Sequence, residues 1–364
     1  MFIPVISKDR KPLMPTTPSR ARRWIRDRKA TPFWSKGIFC VRLNVSVLGA
    51  MRLTDDAFFS VDTTPSAQAG LSPQITKQSN NFLEPIVVGI DPGSKKEAFT
   101  IKSESHTYLN LQADAVTWVK DAVKTRREMR RGRRFRKTPC RKPRFNRTKG
   151  GLVPSTKARW QWKLRICWWL KKIFPITDFV VEDIAATTKK GKRRWNVSFS
   201  PLEVGKRWFY AELSKLGNVY TKKGYETKEL RDRHSLQKSS NKLSNDFSAH
   251  CVDSWILANW YVGGHISPDN KDILLATPLR FYRRQLHALQ PARGGIRRPY
   301  GGTRSLGKKR GAYVKHPKYG VCFVGGTSKG CISLHSLTSG KRLTQNAKPE
   351  ECKHLTYASF RTWR

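Results

Sequence analysis

The sequence predicts an α/β protein whose central sheet carries acidic side chains at the ends of its strands. Three stretches predict it. The first, Ile86–Ser94 (IVVGIDPGS), is a run of mostly β-branched apolar residues that ends on Asp91 and breaks at once into the turn residues Pro92, Gly93 and Ser94. The second, Asp178–Ala185 (DFVVEDIA), is another short apolar strand, bearing Glu182 with Asp183 beside it. The third, Asn245–Tyr261, puts Phe247, Val252, Trp255, Ile256 and Trp260 on one helical face and sets His250 and Asp253 three residues apart, where they neighbour each other on a helix. A buried strand fixes a side chain more tightly than a loop does, and Gly93 lets a polar ligand come close to Asp91. Taken alone, Asp91 also reads as an acid that merely starts a turn, and His250 as a structural histidine. Successive strand residues face opposite sides, so only one of Glu182 and Asp183 can join Asp91; Glu182 is preferred and Asp183 is the alternative.

Charge names the partner class. The 364 residues hold 72 Lys+Arg against 26 Asp+Glu, a formal net charge of +46. Self-repulsion of that size opposes compaction unless a polyanion meets the surface, and nucleic acid is the partner to expect. With 38% hydrophobic residues and 12 Trp the chain is too apolar for a disordered basic tail, and its length allows a core divided over about two or three domains. No apolar run approaches the ~18 residues of a membrane span, and Met1–Lys8 lacks the apolar centre of a signal peptide, so an intracellular protein without membrane contact is expected. The 7 Cys form no C-x-x-C pair, which argues against a zinc site or a disulfide framework and for inert thiols.

In chain order, an apolar piece (Phe2–Ile6) and two proline-stiffened turns lead into a predicted helix over Ser19–Arg28, capped by Ser19. Its Arg20, Arg22, Arg23, Arg26 and Arg28 suit phosphates. Ile38–Val47 reads as a strand, and Leu53–Glu84 has the composition of a linker. After Asp91, strands over Ala98–Lys102 and His106–Leu111 complete a three-stranded meander. A helix beginning near Ala113 runs into Thr125–Lys137, where Arg126, Arg127, Arg130, Arg131, Arg133, Arg134 and Arg136 surround it on every side. Solvated charged helices normally carry balancing Glu; here only Glu128 is present, so an anionic partner is the better reading. After a basic loop, Ser155–Phe174 is an amphipathic helix with Trp160, Leu164, Cys167 and Trp168 at core spacing, ended by Pro175. Beyond Glu182 come a basic loop (Thr187–Arg194), a helix (Pro201–Leu216), a strand (Asn218–Lys222) and an irregular polar stretch (Glu226–Leu243). Residues from Pro268 onward, with Arg283 and Arg284 in LRFYRRQLH and Arg297 and Arg298 in GGIRRPYGGTR, read as a separate basic β-rich module.

Strand with Asp, meander, helix, strand with Glu, helix, strand, and helix with His-x-x-Asp is the element order of a ribonuclease H-like core as found in RuvC nucleases. The chain resembles the IsrB family, the HNH-lacking relatives of the RNA-guided IscB nucleases of insertion sequences. The motifs that carry the resemblance are PLMP at Pro12–Pro15, RARR at Arg20–Arg23, GIDPGSK at Gly89–Lys95, the arginine-rich bridge helix at Thr125–Lys137, VVEDIAA at Val180–Ala186 and AHCVDSW at Ala249–Trp255. RRQLH and GGIRRPYGGT in the tail are similar too, while the polar stretch Leu53–Glu84 is longer than the family pattern requires. The resemblance implies a PLMP/RARR domain over 1–52, a linker over 53–84, and a RuvC core in parts (85–124, 151–187 and 188–266). It further implies a bridge helix and loop over 125–150 and, over 267–364, a module for RNA and the target-flanking motif. It also implies a split site of Asp91, Glu182, His250 and Asp253, in which Asp91, Glu182 and Asp253 hold two Mg²⁺, replaceable by Mn²⁺, and His250 orients or deprotonates the attacking water. The expected function is RNA-guided nicking of the non-target DNA strand, by a monomer bound to an omega-type guide RNA and a target duplex. A prokaryotic cytoplasmic, nucleoid-associated location goes with it. The alternatives are a catalytically silent transposon-encoded nucleic-acid-binding protein, and a junction nuclease that uses no RNA.

Overall fold

A computed structural model describes residues 2–44, 84–137, 152–186, 200–280, 289–290, 295–296 and 304–364. In chain order, β1 (Ile3–Ile6), β2 (Pro12–Thr16), α1 (Pro18–Arg26), β3 (Ala30–Ser35) and β4 (Ile38–Leu43) open the fold. The core follows with β5 (Ile86–Asp91), β6 (Lys96–Lys102), β7 (Thr107–Asp114), α2 (Trp118–Phe135), α3 (Pro154–Lys171), β8 (Ile176–Asp183), α4 (Pro201–Leu213), β9 (Asn218–Lys223), α5 (Gly224–Arg233), α6 (Cys251–Val262) and β10 (Ile273–Pro278). The chain then builds β11 (Ala312–His316), β12 (Gly320–Ser328), β13 (Cys331–Ser336), β14 (Arg342–Ala347), β15 (Lys353–Tyr357) and β16 (Phe360–Trp363). The linker Leu53–Glu84 up to its last residue, the basic loops after α2 and β8, and Arg283, Arg284, Arg297 and Arg298 lie outside the described residues.

Seven strands form the main sheet in the order β16-β10-β7-β6-β5-β8-β9. β5, β6 and β7 are an antiparallel meander, and β8 joins β5 in parallel with β9 parallel beyond it. The inner order β7-β6-β5-β8-β9 is the one expected of a ribonuclease H-like core. Every residue of β5 is buried, which explains its unbroken apolar run.

Pleating divides the sheet into two faces of different character. On one, Val88, Ile90, Phe99, Ile101, Phe179 and Val181 pack with Trp160, Ile166, Cys167 and Leu170 of α3 and with Phe209 and Leu213 of α4. On the other, Val87 and Val180 meet Leu257 and Ala258 of α6. Gly89 lies on this second face, and a Cβ there would stand 1.9 Å from the Ser254 carbonyl oxygen. Only glycine permits α6 to approach β5 so closely.

A four-stranded sheet, β2-β1-β4-β3, carries α1 on its own small core of Val5, Ala21, Trp24, Val41 and Leu43. Its other side is continuous with the main core, because Ile38 and Cys40 pack there and Trp169 Nε1 donates to Ser35 Oγ at 3.0 Å. The C-terminal sheet, β14-β13-β12-β11-β15, encloses Val314, Cys322, Val324, Ile332 and Leu334.

Several expectations are corrected. Thr17, not Ser19, caps α1, accepting from the Arg20 amide. The strand expected over Ile38–Val47 is β4, ending at Leu43 among the described residues, and the helix expected from Ala113 begins at Trp118 because β7 continues to Asp114. On α3 the residue at core is Trp169, while Trp168 is exposed. The polar stretch after β9 contains α5: its Glu226 accepts from the Lys223 amide, a first-turn anchor that apolar periodicity does not register. The C-terminal region is not a fully separate module, since β10 and β16 extend the main sheet. Among the described residues, no helix is long and apolar enough to cross a membrane.

Candidate active site and basic surface

Asp91 is the last residue of β5 and follows Val87 and Gly89 on the α6 face, so its carboxylate is delivered to the start of α6. Glu182 follows Val180 on the same face of the neighbouring parallel strand. Asp183 points the other way, accepting from Tyr210 Oη at 2.9 Å and pairing with Lys206 at 2.8 Å. Strand pleating therefore selects Glu182 and removes Asp183 from the cluster. Asp253 sits in the first turn of α6 with its carboxylate almost fully buried, where Arg231 of α5 pairs with one oxygen and Lys238 with the other. Ser254, the next residue, bonds Thr100 Oγ1 at 2.7 Å and locks the helix onto β6.

His250 is not inside the helix. It is the residue before α6 with a non-helical backbone, and its ring faces Asp91 rather than lying beside Asp253 as helical spacing would have it. Nδ1 lies 3.1 Å from Asp91 Oδ2, and Nε2 lies 3.0 Å from the Lys242 carbonyl oxygen. Both partners are acceptors when Asp91 is ionised, so both ring nitrogens donate and the imidazolium is the form that fits. Burial alone would lower the pKa of His250; the Asp91 carboxylate and the Lys242 carbonyl outweigh it and raise the pKa above its ordinary value.

Burial first, and then the neighbouring charges of Asp91 and Asp253, push Glu182 up to about 7. Lys238 is raised although burial opposes it, because Asp253, Asp91 and Glu182 all favour its charged form. Three acids thus share one small volume. Their hard oxygen donors are of the kind that hold a divalent cation such as Mg²⁺, and in this structure their charge is met by Arg231 and Lys238 at Asp253 and by His250 at Asp91. As they stand, no group of three or more His, Cys, Asp or Glu among the described residues is closed into a metal site. The cations at Asp253 in this structure are Lys238 and Arg231.

Sequence reasoning missed Lys238, Arg231 and the buried Glu97–Lys163 pair, in which Nζ stands 2.7 Å from Oε1 on the α3 face. A lysine at position 163 among the apolar positions of α3 was a usable signal for the pair. Lys238 lies in an aperiodic stretch and offered none.

The basic surface takes the expected form where it is described. None of α2 is buried, and Arg126, Arg127, Arg130, Arg131, Arg133, Arg134 and Arg136 are all exposed along it. On α1, Ala21 and Trp24 face inward while Arg20, Arg22, Arg23 and Arg26 face out. The six described cysteines are unpaired, and burial pushes the Cys40 thiol up to about 12, in keeping with an inert role.

The sequence profile of the RRXRR protein family matches residues 3–74 and 68–195, together more than half of the chain. The chain belongs to the RRXRR family. The RRXRR domain is the one found in IscB- and IsrB-like proteins, and Arg130-Arg131-Gly132-Arg133-Arg134 on α2, which reads R-R-x-R-R, lies within the second matched range. The RRXRR match spans Asp91 and Glu182 and ends before His250 and Asp253. No curated protein matches the sequence. Among solved structures, the yeast mitochondrial Holliday junction resolvase is similar over 50% of this chain and 80% of its own, with 11% identity and a TM-score of 0.26.

Proposed function

We propose that this RRXRR protein is an RNA-guided DNA endonuclease that nicks the strand not paired to the guide. The observation that carries the reading is the convergence of Asp91, Glu182 and Asp253 from two adjacent parallel strands and one helix onto one sheet face, with His250 on Asp91. Divalent cations held by the three acids, two Mg²⁺ or Mn²⁺ in this reading, would supply Lewis-acid stabilisation of the scissile phosphate and a water of lowered pKa. The chain's own contribution is positional. The close approach at Gly89 keeps α6 against β5 and so keeps Asp253 near Glu182. His250 holds Asp91 in one orientation; with both ring nitrogens donating it orients, and it can take a proton from water only after Nε2 has given up its own proton and left the Lys242 carbonyl.

The exposed arginines of α2 and α1 supply the phosphate contacts for an omega-type guide RNA and its heteroduplex, and base pairing by the guide reads the sequence beside a short target-adjacent motif. Arg283, Arg284, Arg297 and Arg298 belong to the same surface in this reading. The working particle is a monomeric ribonucleoprotein in the prokaryotic cytoplasm, on the nucleoid. Nicking follows from the interval between Glu182 and His250: its described residues are spent on α4, β9 and α5, parts of the core itself. A site of this kind accepts displaced single-stranded DNA more readily than a guide-paired duplex.

The test is to sequence the RNA that co-purifies, rebuild the particle on a matched supercoiled target, and map cuts with strand-specific labels. A single cut in the unpaired strand is expected. Linear product at low enzyme, or a cut in the guide-paired strand, overturns the nickase reading; cleavage without RNA returns the protein to the junction-nuclease alternative.

A further inference from the structure

The segment between α5 and α6, residues 234–249, lies across the acids as a strap. His234 Nδ1 meets the Ile266 carbonyl oxygen at 2.8 Å at one end, and the Ser239 amide donates to the Ser248 carbonyl at 2.9 Å, closing the strap on itself. Two of its groups reach into the site: the Lys242 carbonyl accepts from His250, and the Lys238 ammonium pairs with Asp253. The two cations on Asp253 are differently built. Arg231 comes from a helix packed against α6 and is nearly buried, with its side chain 13% exposed. Lys238 comes from the strap, is 31% exposed, and ends in a compact ammonium on a flexible four-carbon stem. Asp253, Asp91 and Glu182 all act on that one charge.

A point charge set among three carboxylates satisfies the same electrostatic demand that a divalent cation would. It can also leave, because its stem reaches the surface. We infer that Lys238 is the resident counter-cation of the acidic site, which a divalent cation must displace, so that metal loading is set by competition with a lysine of the same chain. This rests on reading Asp91, Glu182 and Asp253 as metal ligands. Arg231 stays on Asp253 throughout and keeps one oxygen oriented, while the exchange takes place at the other.

The test is calorimetric titration of Mn²⁺ into the full-length protein freed of nucleic acid at fixed ionic strength. Lys238→Met keeps the stem and removes the charge; it should bind Mn²⁺ about ten-fold more tightly than wild type, or better, since one competing unit charge at contact distance is gone. Without metal the same variant should melt at a lower temperature, and Mn²⁺ should raise its Tm more than that of wild type. Lys238→Arg, which keeps the charge, should bind like wild type, and Lys238→Gln repeats the measurement if the methionine variant does not fold. Equal or weaker Mn²⁺ affinity in the neutral variants overturns the inference while leaving the ligand reading intact. Asp91→Ala and Asp253→Ala separate the two ideas: if both bind Mn²⁺ as wild type does, the ligand reading fails and this inference with it.

Discussion

The two faces of the main sheet treat their acids in opposite ways. Toward α3 and α4 the acids are held by lysines at contact distance: Glu97 pairs with Lys163, and Asp183 shares Lys206 with Glu203. Toward α6, Arg231 and Lys238 pair with Asp253 and His250 bonds Asp91, while at Glu182 the like charges of Asp91 and Asp253 outweigh Lys238. A raised pKa does not distinguish the faces, because Glu97 and Glu182 are both pushed up to about 7. The causes do. Burial dominates at both, but at Glu97 the next influence is Lys163, which opposes it, whereas at Glu182 it is Asp91 and then Asp253, which add to it. An acid held by a lysine at contact distance serves the fold, and acids that raise one another on rigid elements are the arrangement expected of a cation site.

The sharpest way to break this comparison is to remove acids from the crowded face. Under the proposed function, Asp91→Ala or Asp253→Ala should lower the cleavage rate by about 10³-fold or more while guide and target binding, assigned there to the arginines, stay within about two-fold. End-labelled cleavage beside a gel-shift assay reads both, and normal cutting by both variants would make the crowding incidental.

On the opposite face the expected loss is one of stability. Lys163→Met leaves Glu97 buried without its partner and should cost about 3–5 kcal/mol in urea unfolding, while adding Glu97→Leu should recover much of it. A cost under about 1 kcal/mol would mean that the pair is no more structural than a surface pair.

A smaller effect is expected on α2. Replacing Arg126, Arg127, Arg130 and Arg131 by Gln should weaken RNA binding and flatten its salt dependence by roughly one unit of slope per lost phosphate contact, with Tm nearly unchanged because none of the helix is buried. An unaltered slope would return this helix to a solvated face.

The smallest effect is a pH dependence. Glu182 keeps its proton up to about 7 in the folded chain, against an ordinary value of 4.5. The folded state therefore binds more proton between these limits, and the stability linked to this group is present below about 4.5 and lost as pH rises toward 7. Glu182→Gln, neutral throughout, should gain Tm over metal-free wild type as pH rises through that window. A difference that is flat with pH would show that Glu182 is not crowded.

The sequence by itself determined much of this protein. Its 72 basic against 26 acidic residues made a polyanion the partner to expect. The apolar run into Asp91 and the DFVVEDIA segment located the strands, since burial on both faces demands an unbroken apolar run that can be read one residue at a time. The arginines of α2 were equally legible, because a helix with no apolar stripe has no face to bury. Tertiary structure decided what depends on contacts between distant segments. Pleating set Glu182 against Asp183, but which parity met α6 was known only once Val180 packed on Leu257 and Ala258. His250 stands at the helix cap with hydrogen bonds to Asp91 on β5 and to Lys242 on the strap, contacts that helical spacing within its own segment does not register. Arg231 and Lys238 were illegible for the same reason: a cation in a polar stretch has no periodicity to betray it, and its role is created by the three carboxylates that the fold brings to it from elsewhere.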